Sequence, residues 1–111
     1  MLSNYGASFK SSIMAMHHCV DNYIPGILGL GECADIIAMS APRPVMLSNG
    51  VEDSIFPIEG VSETALALTK LYETLGASDS FVNHTHGGGH EADSDAAISF
   101  FKKYISEEQR Q

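Results

Sequence analysis

The sequence is poor in positive charge, since 6 of its 111 residues are lysine or arginine against 14 aspartates and glutamates. The resulting net charge of −8 disfavours nucleic acid and anionic membranes as partners, because both attract positively charged surfaces. No apolar run reaches the ~20 residues that a membrane-spanning helix needs. No basic segment followed by an apolar one marks a secretory leader. We therefore expect a cytoplasmic protein that binds neither nucleic acid nor membrane.

Cysteine is also scarce. Cys19 and Cys33 are the two cysteines of the chain, and neither belongs to a Cys-x-x-Cys pair of the kind that binds zinc. We interpret both as reduced thiols packed in the interior, where a free cysteine behaves as a small apolar residue.

The periodicity of the apolar residues predicts helices that alternate with short strands. The predicted helices cover 8–20, 32–40 and 61–75, and a last helix begins at Asp93 or Ser94. The first helix would bury a face that consists of Phe9, Ile13, Met16 and Val20. The last helix would bury a face that consists of Ala97, Ile98, Phe101 and Ile105. A Pro-Gly pair predicts a turn at 22–26.

Two short runs, one apolar and one more polar, predict strands. Residues 45–48 form an apolar run that is typical of a strand buried on both faces of a parallel sheet, and the more polar run at 80–85 suggests a sheet edge. Residues 1–3 are interpreted as the stump of a further strand. The order of strands and helices predicts the α/β class, with a short parallel sheet of two to three strands flanked by helices.

An acid and a histidine follow the two main strands. Asp53 comes after the strand at 45–48, and His90 comes after the strand at 80–85, directly behind Gly87, Gly88 and Gly89. The carboxyl ends of neighbouring parallel strands lie together, so we expect the two side chains to meet. A carboxylate bonded to one imidazole nitrogen fixes the tautomer of the ring for proton transfer. The glycines would allow positive φ angles that bring the ring over the sheet.

These motifs resemble a known family. Gly50-x-x-Asp53-x-x-x-Pro57 followed by Gly-Gly-His90 is similar to the C-terminal part of α/β-hydrolases, and most similar to the branch of dienelactone-hydrolase-like and acetyl-xylan-esterase-like proteins. Segments 17–26 and 35–44 also resemble that branch. The resemblance implies that residues 1–111 form a single domain equivalent to the C-terminal part of such an enzyme. It implies that Asp53 is the triad acid and His90 the general base.

The third member of such a triad is missing. The family order is nucleophile, acid, histidine, so the resemblance places the nucleophile before residue 1, and no Gly-x-Ser-x-Gly turn occurs in the chain. Ser54 and Ser94 lie near the site but on no strand-to-helix turn. We therefore expect an ester-hydrolase-related chain that is inactive alone, acts on a small ester when completed, and uses no cofactor. Its partner would be a missing N-terminal hydrolase half or a second copy in a homo-oligomer, a dimer.

Two alternatives stay open. In the first alternative, the chain is a non-catalytic module that self-assembles, since a partial sheet leaves an unpaired edge. It would otherwise hold a weak metal site on His84, His86 and His90, since clustered histidines bind zinc. Two further histidines, His17 and His18, are read as the C-terminal end of the first helix, where the helix dipole favours them, or as pocket residues.

Overall fold

The computed structural model describes residues 1–108 of the chain, and their side chains as far as residue 105. Three parallel strands form one sheet in the order β1-β2-β3, with helices around it. The predicted α/β class, with a short parallel sheet flanked by helices, is confirmed. The elements in chain order are β1 (Leu2–Ser3), α1 (Cys33–Ala38), β2 (Val45–Gly50), α2 (Ile58–Thr74), β3 (Phe81–His86) and α3 (Ser94–Glu108), with single 3-10 turns at Val20–Asn22, Ile27–Gly29 and Ser78–Ser80.

The central strand β2 is buried at all six positions, which confirms the predicted two-sided burial. Leu2 of β1 pairs with Leu47 on one side, and β3 pairs on the other from Phe81 to His86. The stump at the start of the chain is therefore a strand, as predicted. The polar strand β3 lies at the sheet edge, also as predicted.

The main core lies between the sheet and α2. Leu47, Leu68 and Tyr72 are fully or almost fully buried there, and burial of each leucine side chain contributes about 2 kcal/mol. The helix predicted over 61–75 is α2, and Gly76 takes φ +66° just beyond its end. This packing holds β2 and the turn that follows it in a fixed position.

The first predicted helix is wrong. Residues 9–15 form successive turns, and of its four proposed face residues only Phe9 is buried. Ser11 Oγ bonds Ser8 O, and Ser12 Oγ bonds Ile55 O. Serine side chains that bond the backbone in this way compete with a regular helix. The segment therefore wraps over the end of the sheet as a turn-rich loop, and the helix-dipole interpretation of the histidines at 17 and 18 does not apply.

The last helix begins where predicted, but the side chain that it buries differs from those predicted. Asp93 caps its first turn by accepting from the N–H of Ala96 at 3.0 Å. The buried residue is Phe100, whereas Ile98, Phe101 and Ile105 are 51%, 46% and 53% exposed. Because the edge strand β3 carries alternate polar side chains, it offers a narrower apolar surface than the helix pattern alone suggests. The prediction that these three side chains are buried is wrong, and they form an exposed apolar stripe.

The sheet brings three strand ends together. β1 ends before Asn4, β2 runs into the turn at Val51, and β3 runs into the glycine loop at Gly87. Because the strands are parallel, all three junctions lie at the same edge of the sheet. Over residues 1–108, no helix is long and apolar enough to cross a membrane.

Candidate active site

Asp53 is held inside the turn that follows β2. Its side chain has no exposed surface, and its Oδ1 accepts hydrogen bonds from the N–H groups of Ile55 at 2.8 Å and Phe56 at 2.9 Å. Burial alone would raise the pKa of this carboxyl. The N–H of Phe56, the ring of His90 and the N–H of Ile55 together outweigh burial and hold the pKa of Asp53 below its ordinary 3.8. The group is therefore a carboxylate at neutral pH.

His90 reaches Asp53 from the glycine loop. Its Nδ1 lies 2.9 Å from Asp53 Oδ2, and the ring stacks on Phe56 with centroids 5.7 Å apart and planes 16° apart. Half of the His90 side chain is exposed, 49% against none for its partner. Asp53 thus fixes one ring nitrogen, and no hydrogen bond within the described residues occupies Nε2. The structure brings the two predicted site residues together, and their catalytic roles stay predictions.

The close approach of the glycine loop to the neighbouring turn depends on Gly50. None of Gly87, Gly88 and Gly89 has a positive φ, so the predicted reason for them is wrong. The loop instead lies directly on the turn after β2. A Cβ on Gly50 would be 2.2 Å from the carbonyl oxygens of Gly88 and Gly89. The N–H of Glu52 donates to Gly88 O at 3.0 Å, and this contact ties the His90 loop to the Asp53 turn.

A cavity of about 550 Å³ opens beside His90. Phe56 is its buried floor, and Tyr5 and His18 pack on that ring with centroids 5.1 Å away in each case. The turn-rich loop before the first 3-10 turn supplies one wall, so the two histidines at 17 and 18 are pocket residues. The lining consists of Ser3, Asn4, Tyr5, His17, His18, Cys19, Asn22, Ile55, Phe56 and His90.

The hydroxyls and thiols near the site do not form a triad with His90. Ser12 Oγ donates to Ile55 O and lies 2.9 Å from His18 Nε2. Burial, with the charge of Glu32 as a smaller cause, raises the pKa of the Cys33 thiol to about 12, so this thiol stays protonated and inert. Cys33 is buried as predicted, whereas Cys19 is exposed in the pocket wall. The interior location predicted for Cys19 is wrong.

The three histidines of the predicted cluster bond separate partners, although the ring centroids of His84 and His86 lie 6.3 Å apart. His84 Nε2 bonds Asp93 Oδ2 at 2.8 Å, on the face of the sheet that α3 covers, while His90 bonds the buried carboxylate of the turn. The Nδ1 of His86 accepts from the backbone of the glycine loop. No group of three histidine, cysteine, aspartate or glutamate side chains in the described part of the chain could hold a metal ion. This arrangement contradicts the metal-site alternative.

Acid is expected to destabilise the site. Because the pKa of Asp53 is lower in the folded chain than the ordinary 3.8, the carboxylate adds stability above that pH. The stability is lost as the pH falls below 3.8 through the folded pKa. Urea unfolding between pH 6 and pH 2.5 measures this loss. Asp53→Asn should flatten the acid limb, and an unchanged limb would show that the turn does not favour the carboxylate.

Two known proteins support an α/β-hydrolase-like family for this chain. Over 86 residues, 75% of this chain, it is 29% identical to the protein named "Putative hydrolase YtaP" of Bacillus subtilis (strain 168). It superposes with a TM-score of 0.55 on a carbohydrate esterase family 15 (CE15) glucuronoyl esterase from Caldicellulosiruptor kristjansonii, at 27% identity over 62% of this chain. No family model matches. The chain spans 29% of the first protein's length and 18% of the second's. The narrower branch named above stays a prediction.

Proposed function

We propose that Asp53 and His90 are the acid and the general base of an ester hydrolase whose nucleophile comes from outside residues 1–105. The observation that supports it most is the 2.9 Å bond from His90 Nδ1 to a buried, ionised Asp53, at the mouth of a 550 Å³ cavity. A histidine fixed at one nitrogen and open at the other is the arrangement that moves protons in acyl transfer. The hydrolase and esterase relatives agree with this chemistry.

The proposed reaction has two halves. A serine or cysteine nucleophile attacks the carbonyl carbon of a small ester while Nε2 of His90 takes the proton of the nucleophile. Asp53 stabilises the imidazolium that results. The ring then gives the proton to the departing alcohol, which leaves an acyl-enzyme. Water releases the acid in the second half, with His90 again as the base.

The nucleophile is proposed to arrive along β1. Among the described residues, β1 pairs with β2 on one side and with no strand on the other. Residues 3–5, which follow or end this strand, line the cavity beside His90. A further parallel strand on the free edge would end beside the same cavity, because the carboxyl ends of parallel strands lie together. A strand-to-helix turn there would direct its nucleophile at Nε2.

A chimera tests this proposal. The segment of YtaP that aligns with this chain is replaced by the chain itself, and the folded product, called the completed enzyme below, is assayed with p-nitrophenyl acetate. We expect the completed enzyme to turn over the ester and His90→Ala to abolish this turnover. Residues 1–111 alone should show no turnover. Equal rates with and without His90 would overturn the proposal. If residues 1–111 alone turn over the ester and His90→Ala abolishes this turnover, the nucleophile would instead lie within the chain.

The exposed stripe on α3 favours a second candidate, a module that assembles. Ile98, Phe101 and Ile105 lie about one helical turn apart and are half exposed, and covering the exposed half of one such side chain contributes about 1 kcal/mol. A homodimer that covers both stripes would need no other partner. The same surface is also suited to a missing hydrolase half.

Phe101→Gln is expected to raise the dissociation constant of such a dimer about 10- to 100-fold, because each of the two protomers loses one aromatic side chain from the contact, at about 1 kcal/mol each. Sedimentation velocity at micromolar concentration measures it. Leu66→Gln is the matched control, since Leu66 is 59% exposed on α2 and lies outside the stripe. A native chain that sediments as a compact monomer contradicts the assembly candidate.

A further inference from the structure

Asn4 occupies an unusual position directly after β1. It is the one residue other than glycine with a positive φ among those described, at 53°, and it is 5% exposed. Asparagine tolerates this left-handed conformation better than most side chains. Its backbone N–H donates to Ser48 O at 2.8 Å, so the residue extends the pairing of β1 with β2 before the chain turns away. The conformation directs the side chain back across the strand ends.

The amide of Asn4 joins the two segments that carry the acid and the base. Its Oδ1 accepts from the N–H of Gly50 at 3.3 Å, at the end of the strand that leads to Asp53. Its Nδ2 donates to the carbonyl of Glu91, the residue after His90, at 2.5 Å. A carboxamide is suited to this bridge because it offers one acceptor and one donor group. An aspartate would place two acceptors there, and an apolar residue would leave both backbone groups without this partner.

The bridge completes the anchoring of the histidine loop. On the N-terminal side of His90, the N–H of Glu52 donates to Gly88 O. On the C-terminal side of His90, the N–H of Glu91 bonds Gly89 O within the loop itself. The carbonyl bond of Glu91 to Asn4 is the tie nearest to His90 on that side, and the bond of Asp93 to His84 follows two residues later. A ring that is half exposed and held at one nitrogen depends on its backbone being fixed at both ends. Pre-organisation of this kind is what catalytic geometry requires.

We propose that Asn4 is a positioning residue that holds the His90 loop against the end of β2, so that the His90 ring stays bonded to Asp53. The catalytic meaning of this proposal rests on the proposed function, but its effect on the bond between His90 and Asp53 is measurable without any substrate. Two substitutions separate its parts. Asn4→Gly keeps the positive φ and removes all three side-chain bonds, the third being the bond from Nδ2 to Ser3 Oγ at 3.3 Å. Asn4→Asp keeps the acceptor for Gly50 and replaces the donor to Glu91 with a repelling oxygen.

The first measurement is the pKa of Asp53, followed through the carboxyl carbon by NMR in the native chain and the variants. The bond from His90 is one of the contacts that lower this pKa, so both Asn4 variants are expected to raise it toward 3.8. Tyr72→Phe is the control for stability. It removes a hydrogen bond to Arg43 O, near the opposite ends of the strands, and should leave the pKa of Asp53 at its native value.

The second measurement is kcat in the completed enzyme, which both Asn4 variants should lower about 100-fold with KM little changed, since a displacement of ~1 Å has that effect. An unchanged pKa of Asp53 in folded Asn4→Gly and Asn4→Asp would overturn the positioning role. If the pKa of Asp53 rises in the Asn4 variants as expected but the completed enzyme turns over no ester, the proposed function alone would be overturned. If Asn4→Gly fails to fold, Asn4→Ala decides, because it also removes the amide and adds no charge that would itself raise the pKa of Asp53.

Discussion

Asp53→Asn is expected to lower ester hydrolysis by the completed enzyme about 10⁴-fold, by the tautomer effect known for buried triad acids. The amide oxygen can still accept from the N–H groups of Ile55 and Phe56, so the turn keeps both bonds. The amide nitrogen then faces Nδ1 of His90, which must become the acceptor. The ring proton moves to Nε2, and a protonated Nε2 cannot take a proton from the nucleophile.

The measurement is kcat on p-nitrophenyl acetate, with the ring nitrogens of His90 observed by ¹⁵N NMR in the separate chain. Proton transfer from Nδ1 to Nε2 should accompany the loss of rate. Asp95→Asn is the matched control, since Asp95 is an exposed carboxylate in the first turn of α3, and its rate should stay native. Retention of more than a tenth of the rate in Asp53→Asn would exclude Asp53 as the acid.

The parts of the site that depend on strand order were predictable from the sequence. Asp53 and His90 follow successive strands of a parallel sheet, and the rule that strand ends lie together brings their loops to one place. Each strand was in turn marked by a short local pattern, the apolar run at 45–48 and the run at 80–85 bounded by glycine. Local patterns of this kind also gave α2, whose apolar face repeats over four turns and ends at Gly76.

The residues that the sequence did not reveal act through contacts distant in the chain. Phe56 supports the ring of His90, and the sole local signal for it was its place three residues after the acid. Asn4 bonds Glu91 across 87 positions, and nothing in its neighbourhood marks that bond. The wrong helix at 8–20 has the same origin, because Ser12 satisfies its hydroxyl on Ile55, 43 positions away. Periodicity describes one segment and contains no information about such distant partners.

The contact between Gly50 and the histidine loop shows what the two glycine motifs have in common. Gly50 opens the acid motif and Gly88 and Gly89 open the histidine motif, and these three residues touch one another. The carbonyl oxygens of the loop occupy the space where a side chain on Gly50 would stand. The glycine at position 50 is therefore required by the backbone of the histidine loop, and the close contact of the two loops depends on the absence of a side chain there.

Gly50→Ala is accordingly expected to destabilise the chain by about 3 kcal/mol, at the upper end for inserting one carbon into a packed region, because the obstructing atoms are backbone. The loop must move, so the bond from His90 to Asp53 should be lost as well. Urea unfolding and the NMR pKa of Asp53 measure the two effects. Gly87→Ala is the matched control, since an added Cβ there meets nothing within 4 Å, and a shift within about 0.5 kcal/mol is expected. Both changes reduce the entropy of the unfolded chain alike. A difference between them therefore reports contact between the loops, and equal stabilities would contradict the close approach that holds this site together.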